Sequence, residues 1–130
     1  NGTIQDTEIT EGSDAGIIGN ESQRQPGYQL RISPSYDFSM SNSWSGTVYG
    51  SLSLVDDRWS DNGNTVELPG YEKVDLGLSV NASDNLTLQL MLDNLTDEEG
   101  LTEGDPRNPT APNGRYIMPR NIKFSVGYNF

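Results

Sequence analysis

The chain ends with the stretch Ile122-Lys123-Phe124-Ser125-Val126-Gly127-Tyr128-Asn129-Phe130, in which apolar and polar residues alternate without interruption. Successive side chains of a β-strand point to opposite faces of a sheet, whereas the faces of a helix repeat about every 3.6 residues. The alternation therefore predicts a strand with one apolar and one polar face. The apolar face would hold Ile122, Phe124, Val126, Tyr128 and Phe130.

The same alternation recurs in four stretches upstream, although Tyr49 and Val55 depart from it in one of them. Each stretch is close to the length of about 9 to 11 residues that a tilted strand needs to cross the hydrocarbon core of a bilayer. We therefore predict an all-β fold of antiparallel, up-and-down strands that belong to a transmembrane β-barrel. The five predicted strands lie near residues 28–38, 44–57, 71–82, 86–95 and 116–130.

The composition taken alone is that of a soluble protein, because only 32% of the residues are hydrophobic and the net charge is −11. A barrel strand, however, needs an apolar residue only at every second position, so its average hydropathy stays low. Most of the 19 acidic residues lie outside the alternating stretches, within 1–27, 56–67 and 97–105. Such an acidic surface excludes nucleic acid as a partner.

The connections between the predicted strands alternate in length. Residues 39–43 and 83–85 are short polar turns, while 59–70 and 96–115 are long and rich in Gly, Pro, Asn and acidic residues. Outer-membrane barrels have brief periplasmic turns and extended extracellular loops. We therefore expect the long connections to be extracellular, together with residues 1–27, which would form an extracellular loop that enters the first strand.

Catalytic chemistry has little support in this composition. The chain contains no His and no Cys, which removes the usual general base and the thiol nucleophile. We therefore expect neither an enzyme nor a bound cofactor. Carboxylates in or beside the long connections are hard oxygen ligands of the kind that binds calcium, and the candidates are Asp57, Asp61, Asp97 and Glu99. The alternative is that they are solvated loop charges, screened by ions in solution.

Several short motifs coincide with the ends of the predicted strands. Arg24-Gln25-Pro26 precedes the first strand, Asn94-Leu95-Thr96-Asp97 ends the fourth, Pro119-Arg120 precedes the last, and Phe130 ends it. In this order and spacing, the motifs resemble the carboxyl-terminal end of a TonB-dependent outer-membrane receptor. The resemblance extends over essentially the whole chain, residues 1–130.

The resemblance implies a plugged barrel of about 22 strands in the bacterial outer membrane, which takes up a scarce ligand such as a ferric siderophore, a vitamin or an oligosaccharide. Five strands are too few to close, because single-chain barrels need at least about eight. The chain also begins at Asn1 rather than Met, and we expect it to be part of a longer receptor. The implied partners are outer-membrane lipid, the remaining strands and the plug, and TonB through the missing amino-terminal part.

The resemblance also implies a role for the carboxyl-terminal strand in assembly. Phe124, Val126, Tyr128 and Phe130 would form the signal that the barrel-assembly machinery recognises.

Two other classes of function remain open. The apolar faces could line a soluble, secreted β-sandwich or lipocalin-like binding module, although the unequal connections and the terminal Phe argue against it. The chain could also belong to an outer-membrane surface or adhesion barrel whose acidic loops are the active part.

Overall fold

The computed structural model describes residues 1–41, 44–104 and 114–130 of the chain. Its regular elements are eleven strands and one short 3₁₀ turn at Ala15–Ile17. Within these three ranges, no helix is long and apolar enough to cross a membrane. The strands are β1 (Gly2–Ile4), β2 (Tyr28–Ile32), β3 (Ser35–Ser41), β4 (Trp44–Val55), β5 (Arg58–Trp59), β6 (Glu67–Leu68), β7 (Tyr71–Ser83), β8 (Leu86–Asp93), β9 (Leu101–Gly104), β10 (Gly114–Tyr116) and β11 (Asn121–Tyr128).

Seven of these strands form one sheet in the order β1-β2-β4-β7-β8-β11, with β3 also paired to β4. Strands β7, β8 and β11 are antiparallel neighbours, as are β3 and β4. Two small antiparallel sheets, β5-β6 and β9-β10, lie within the long connections. The predicted all-β, antiparallel class is thus confirmed, and over the described residues the sheet is open rather than closed.

The strand predicted near 28–38 is divided into β2 and β3, which both pair with β4. The interruption falls at Ser33 and Pro34, because proline has no N–H to donate to a neighbouring strand. The carbonyl of Pro34 still accepts a hydrogen bond from the Gly50 N–H at 2.9 Å. The chain therefore continues along β4 across the break.

Two other boundaries differ from the prediction. The last predicted strand, 116–130, is divided at Pro119 into the end of β10, which pairs with β9, and β11. The predicted loop 1–27 begins with β1, which pairs with β2 through Thr3 and Gln29 among others. A strand of three residues is too short to show a period of two, so the alternation could not reveal it. Parts of the predicted connections 39–43 and 96–115 lie outside the described residues.

The fold comprises two compact units, each built from separate stretches of chain. We call Asn1–Leu30, Leu54–Glu72 and Glu99–Ile117 the connection unit, and Arg31–Ser53, Lys73–Glu98 and Met118–Phe130 the strand unit. The connection unit has a small apolar core of its own, formed by Val55, Val66 and Leu68.

Candidate functional site

The strand unit presents one continuous apolar face. Residues directly opposite each other on neighbouring strands share a face of the sheet, so the register determines which side chains lie together. Three apolar rows cross β7, β8 and β11: Leu76–Leu92–Ile122, Leu78–Leu90–Phe124 and Val80–Leu88–Val126. The side chains on β11 are the most open, and Phe124 is 65% exposed. An apolar face of this extent is a surface for lipid or for another protein.

The opposite face of the same three strands is polar. Its rows are Gly77–Met91–Lys123, Ser79–Gln89–Ser125 and Asn81–Thr87–Gly127. Within the last row, the Thr87 hydroxyl donates a hydrogen bond to Oδ1 of Asn81 at 3.0 Å. The two faces of the sheet therefore suit two different environments, one apolar and one aqueous.

The two exceptions to the alternation in β4 have separate structural reasons. The ring of Tyr49 lies over Gly77, where it covers the position that a Cβ would occupy. An aromatic ring thus fills the gap left by a glycine in a sheet. Val55 lies at the end of β4 and is buried in the core of the connection unit.

A shallow concavity of about 390 Å³ lies in the strand unit, lined by side chains that include Arg31, Ser51, Asp75 and Asp93. Two of its charged groups have partners. Nε of Arg31 donates to the Ser51 hydroxyl at 3.0 Å, and Asp75 forms an ion pair with Lys73 at 2.8 Å. This surface is suited to contacts with water or with a polar protein surface.

The motif Asn94-Leu95-Thr96-Asp97 forms a turn at the end of β8, and we call residues 94–98 the Asn94 turn. Asn94 is fully buried, with 0% of its surface exposed. Its amide Nδ2 donates to the carbonyls of Glu98 at 2.9 Å and of Met118 at 3.0 Å, while Oδ1 accepts from the Glu98 N–H at 2.9 Å. The Asn94 N–H donates to Oδ1 of Asp75 at 2.9 Å. One side chain therefore connects the turn to the segment that enters β11.

The backbone conformation explains why Asn and Asp occupy this turn. The φ angles of Asn94 and Asp97 are +51° and +58°, in the left-handed region that Asn and Asp tolerate better than most residues. Leu95 and Thr96 are exposed, and the Leu95 N–H donates to the Val74 carbonyl at 2.7 Å. The two central residues thus contribute mainly through their backbone.

Asp97 joins the same turn to the Pro119-Arg120 step. The Arg120 N–H donates to one oxygen of Asp97 at 3.0 Å, and the Arg120 guanidinium lies 3.4 Å from the other. Both side chains are about half exposed, so solvent screens the ion pair and the backbone hydrogen bond is the more specific contact. The structure therefore brings together Asn94, Asp97 and Arg120. The sequence alone did not identify Asp75, Glu98 and Met118 as their partners.

The candidate metal ligands have other roles or are exposed. The Asp61 carboxylate accepts hydrogen bonds at 3.1 Å from the Thr65 N–H, the Thr65 hydroxyl and the Val66 N–H, which closes the turn before β6. Asp97 pairs with Arg120, and Asp57 and Glu99 are exposed. Among the residues that the structure describes, no group of three His, Cys, Asp or Glu side chains could hold a metal ion.

In the connection unit, a buried arginine joins two of the long connections. Arg58 is 8% exposed, and its Nη2 donates to the Leu101 carbonyl at 2.8 Å. Its guanidinium carbon lies 5.7 Å from the centre of the Tyr71 ring, at the distance of a cation–π contact. The Ser60 hydroxyl donates to the Gly104 carbonyl at 2.6 Å. In the sequence, Arg58 is indistinguishable from a solvated loop charge.

Hydrogen bonds also join residues 20–23, at the end of the predicted loop 1–27, to residues 62–64 of the connection 59–70. The Asn20 amide donates to the Asn62 carbonyl at 2.9 Å, and Oδ1 of Asn62 accepts from the Gln23 N–H at 3.1 Å. Asn64 exchanges two hydrogen bonds with the backbone of Glu21, at 3.0 and 3.1 Å. The three connections thus form one hydrogen-bonded assembly within their unit.

The residues of the expected assembly signal lie together on and beyond β11. Phe124, Val126 and Tyr128 occupy the apolar face, and Phe130 is fully exposed. The rings of Tyr128 and Phe130 meet edge to face with their centres 5.2 Å apart. The structure therefore leaves these side chains open to a further partner.

Comparison with known proteins connects these features to a family. The crystal structure of BauA, the ferric preacinetobactin receptor from Acinetobacter baumannii, matches the chain with a TM-score of 0.79 and 23% sequence identity, over 95% of this chain and 18% of that one. At this identity the likeness shows the fold, and the chain spans about a fifth of that receptor's length. No curated protein matches the sequence. A family model described as "TonB dependent receptor-like, beta-barrel" matches residues 3–95, which is well over half of the chain, and the protein therefore belongs to the TonB-dependent receptor-like β-barrel family.

Proposed function

We propose that this chain is the carboxyl-terminal part of the barrel wall of a receptor in the bacterial outer membrane, which takes up a scarce ligand by energised transport. The observation that supports this proposal most directly is the register of β7, β8 and β11, which gathers apolar residues on one face and polar residues on the other. Members of the family are outer-membrane receptors and not enzymes.

In this proposal, the apolar face of the strand unit contacts lipid, and its polar face lines the lumen. Every backbone polar group in a bilayer must find a partner within the protein, so further strands have to complete the barrel on both sides of the sheet. The mixed charges of Arg31, Lys73, Asp75 and Asp93 would then face the lumen and its plug. TonB would act on an amino-terminal part of the receptor, outside these 130 residues.

The long connections, which form the connection unit, would lie on the extracellular side. Exposed acidic side chains such as Asp57 and Glu99 would be solvated there. A ferric siderophore is the first ligand class to test beside a vitamin and an oligosaccharide, because one similar solved structure is that of a ferric preacinetobactin receptor.

The test is ligand uptake by cells that express the intact receptor. We expect such cells to accumulate a labelled ferric siderophore, and to lose this uptake when TonB is deleted. A vitamin and an oligosaccharide serve as comparison ligands. If the receptor reaches the outer membrane and none of the three classes accumulates in a TonB-dependent way, the proposal of uptake is wrong and a surface or adhesion role replaces it.

A further inference from the structure

The register between β8 and β11 needs a determinant beyond the apolar pattern. The observed pairing runs from Asp93 opposite Asn121 to Leu86 opposite Tyr128. A slip of one residue would move every apolar side chain of β11 to the polar face, and is therefore excluded. A slip of two residues would return each side chain to its own face. Alternation thus does not distinguish the observed register from its neighbours two residues away.

The length of the connection between the two strands does not specify their register. In a tight hairpin, the turn geometry specifies the register. Here residues 94–120 separate the paired ends of β8 and β11. The entropy of closing a loop of this size changes only slowly with its length, so a shift of two residues in the connection would have little effect on the closure.

The Asn94 turn supplies contacts that do distinguish these registers. Asn94 immediately follows the paired residue Asp93, and its amide binds the Met118 carbonyl. Asp97 accepts the N–H of Arg120, the residue immediately before the paired Asn121. A slip of two residues would move this segment by about 7 Å along β8. Both hydrogen bonds would then be broken, and the buried Asn94 amide would lose a partner.

We propose that the Asn94 turn determines the register of the carboxyl-terminal strand β11, with Asn94 and Asp97 as its positioning residues. Among the described residues, β11 pairs with β8 alone within the sheet, so its other edge is the one that a further barrel strand would join. In a closed barrel, the stagger of the strands and the size of the barrel are linked. By specifying the register of β11, the turn would therefore also specify the stagger with which the barrel closes. This proposal depends on the barrel fold and is independent of the transported ligand.

Disulfide cross-linking tests the register directly, because the chain contains no cysteine of its own. Gln89 and Ser125 are directly opposite each other on the polar face, so a Gln89→Cys, Ser125→Cys pair reports the observed register. Pairs of Gln89→Cys with Lys123→Cys or with Gly127→Cys report slips of two residues. In the observed register these diagonal positions are about 7 to 8 Å apart, which is beyond the reach of a normal disulfide.

The pairs are placed in the intact receptor, and copper-phenanthroline oxidation is applied to isolated outer membranes. Asn94→Gly is the informative variant. Glycine tolerates the positive φ of this position, and the substitution removes the side-chain amide that makes the hydrogen bonds. The matched control is Asn64→Gly. Asn64 also has a positive φ, +49°, and its amide also binds backbone groups, those of Glu21, but it lies in the connection unit.

We expect the ratio of the 89–125 cross-link to the two diagonal cross-links to fall at least tenfold in Asn94→Gly and to stay unchanged in Asn64→Gly. The ratio is measured within the assembled fraction, so a lower yield does not affect it. Should Asn94→Gly fail to accumulate, Asp97→Gly gives the deciding ratio, because it removes the acceptor for the Arg120 N–H. If the assembled variant keeps the parental ratio, the proposal is overturned.

Discussion

The ring of Tyr49 lies over Gly77 so closely that a Cβ at position 77 would overlap it. Both residues belong to the strand unit, and the ring occupies the polar face of the sheet. The contact explains why an aromatic residue stands where the alternation of β4 calls for a polar one. It also makes position 77 sensitive to the smallest enlargement of a side chain.

We expect Gly77→Ala to lower the free energy of unfolding by about 1 to 3 kcal/mol, the usual cost of overpacking. Gly127→Ala is the matched control on the same face, since a Cβ there would meet only the Thr87 carbonyl oxygen, at 3.9 Å. Urea unfolding of the refolded receptor in detergent measures both values. Equal values for the two variants would show that Tyr49 moves away without cost.

The orientation of the faces is tested at the neighbours Leu78 and Ser79. Leu78→Arg is expected to cost about 2 to 4 kcal/mol in lipid, the range for a basic residue at the lipid-facing midplane of a barrel. Ser79→Arg is expected to cost much less, because its charge stays hydrated on the polar face. A soluble fold would also penalise Leu78→Arg, so spin labels on cysteines at the two positions provide the second measurement. Stronger contact of lipid-dissolved oxygen with position 79 than with 78 would contradict the assignment.

Arg58 is expected to stabilise the assembly of connections. Arg58→Ala removes a charged hydrogen bond to the Leu101 carbonyl and the contact with Tyr71, and we expect a loss of about 2 to 3 kcal/mol. Arg115→Ala is the control, because Arg115 pairs with Glu103 at 3.3 Å while 81% of its side chain is exposed, and such pairs contribute less than about 1 kcal/mol. The rate of limited proteolysis within residues 56–70 reports the difference. If proteolysis is equally fast in Arg58→Ala and Arg115→Ala, Arg58 does not stabilise the connections.

Deletion of Phe130 is expected to lower the amount of receptor in the outer membrane without changing the thermal stability of the fraction that assembles. The side chain is fully exposed, and within the part of the chain that the structure describes its ring contacts that of Tyr128, so we expect it to contribute little to packing. Heat-modifiability on gels measures the amount and the stability of the assembled barrel together. A normal level under native expression would contradict the role of Phe130 as an assembly signal.

Short tags test the orientation of the chain in the membrane. Tags near Asn62 and Glu103 should be labelled on intact cells, because we place both long connections outside. A tag at Asp84, in the tight turn between β7 and β8, should be labelled only after the outer membrane is permeabilised. Labelling of Asp84 on intact cells, without labelling at Glu103, would invert the topology.

The sequence predicted the faces of β7, β8 and β11 well, because strict alternation leaves a strand only one arrangement of its side chains. It predicted the fold class for the same reason. The boundaries of the strands are harder to predict from the sequence. Pro34 interrupts the pairing of a strand whose apolar residues continue past it, and β1 is too short to show a period of two. The motif residues Asn94 and Asp97 were found as a pattern. Their partners were not, because Asp75 and Met118 lie 19 and 24 residues from Asn94, and no local pattern connects positions so far apart.

The hydrogen bonds between residues 20–23 and 62–64 also constrain how the connections of this protein can evolve. A connection in place of residues 56–70 that lacked a carbonyl opposite Asn20 and an amide opposite the backbone of Glu21 would lose these hydrogen bonds. The protein would be left with polar groups that have lost their partners. The conformations of residues 20–23 and 62–64 are therefore coupled, and a substitution that changes one of these two segments calls for a matching change in the other.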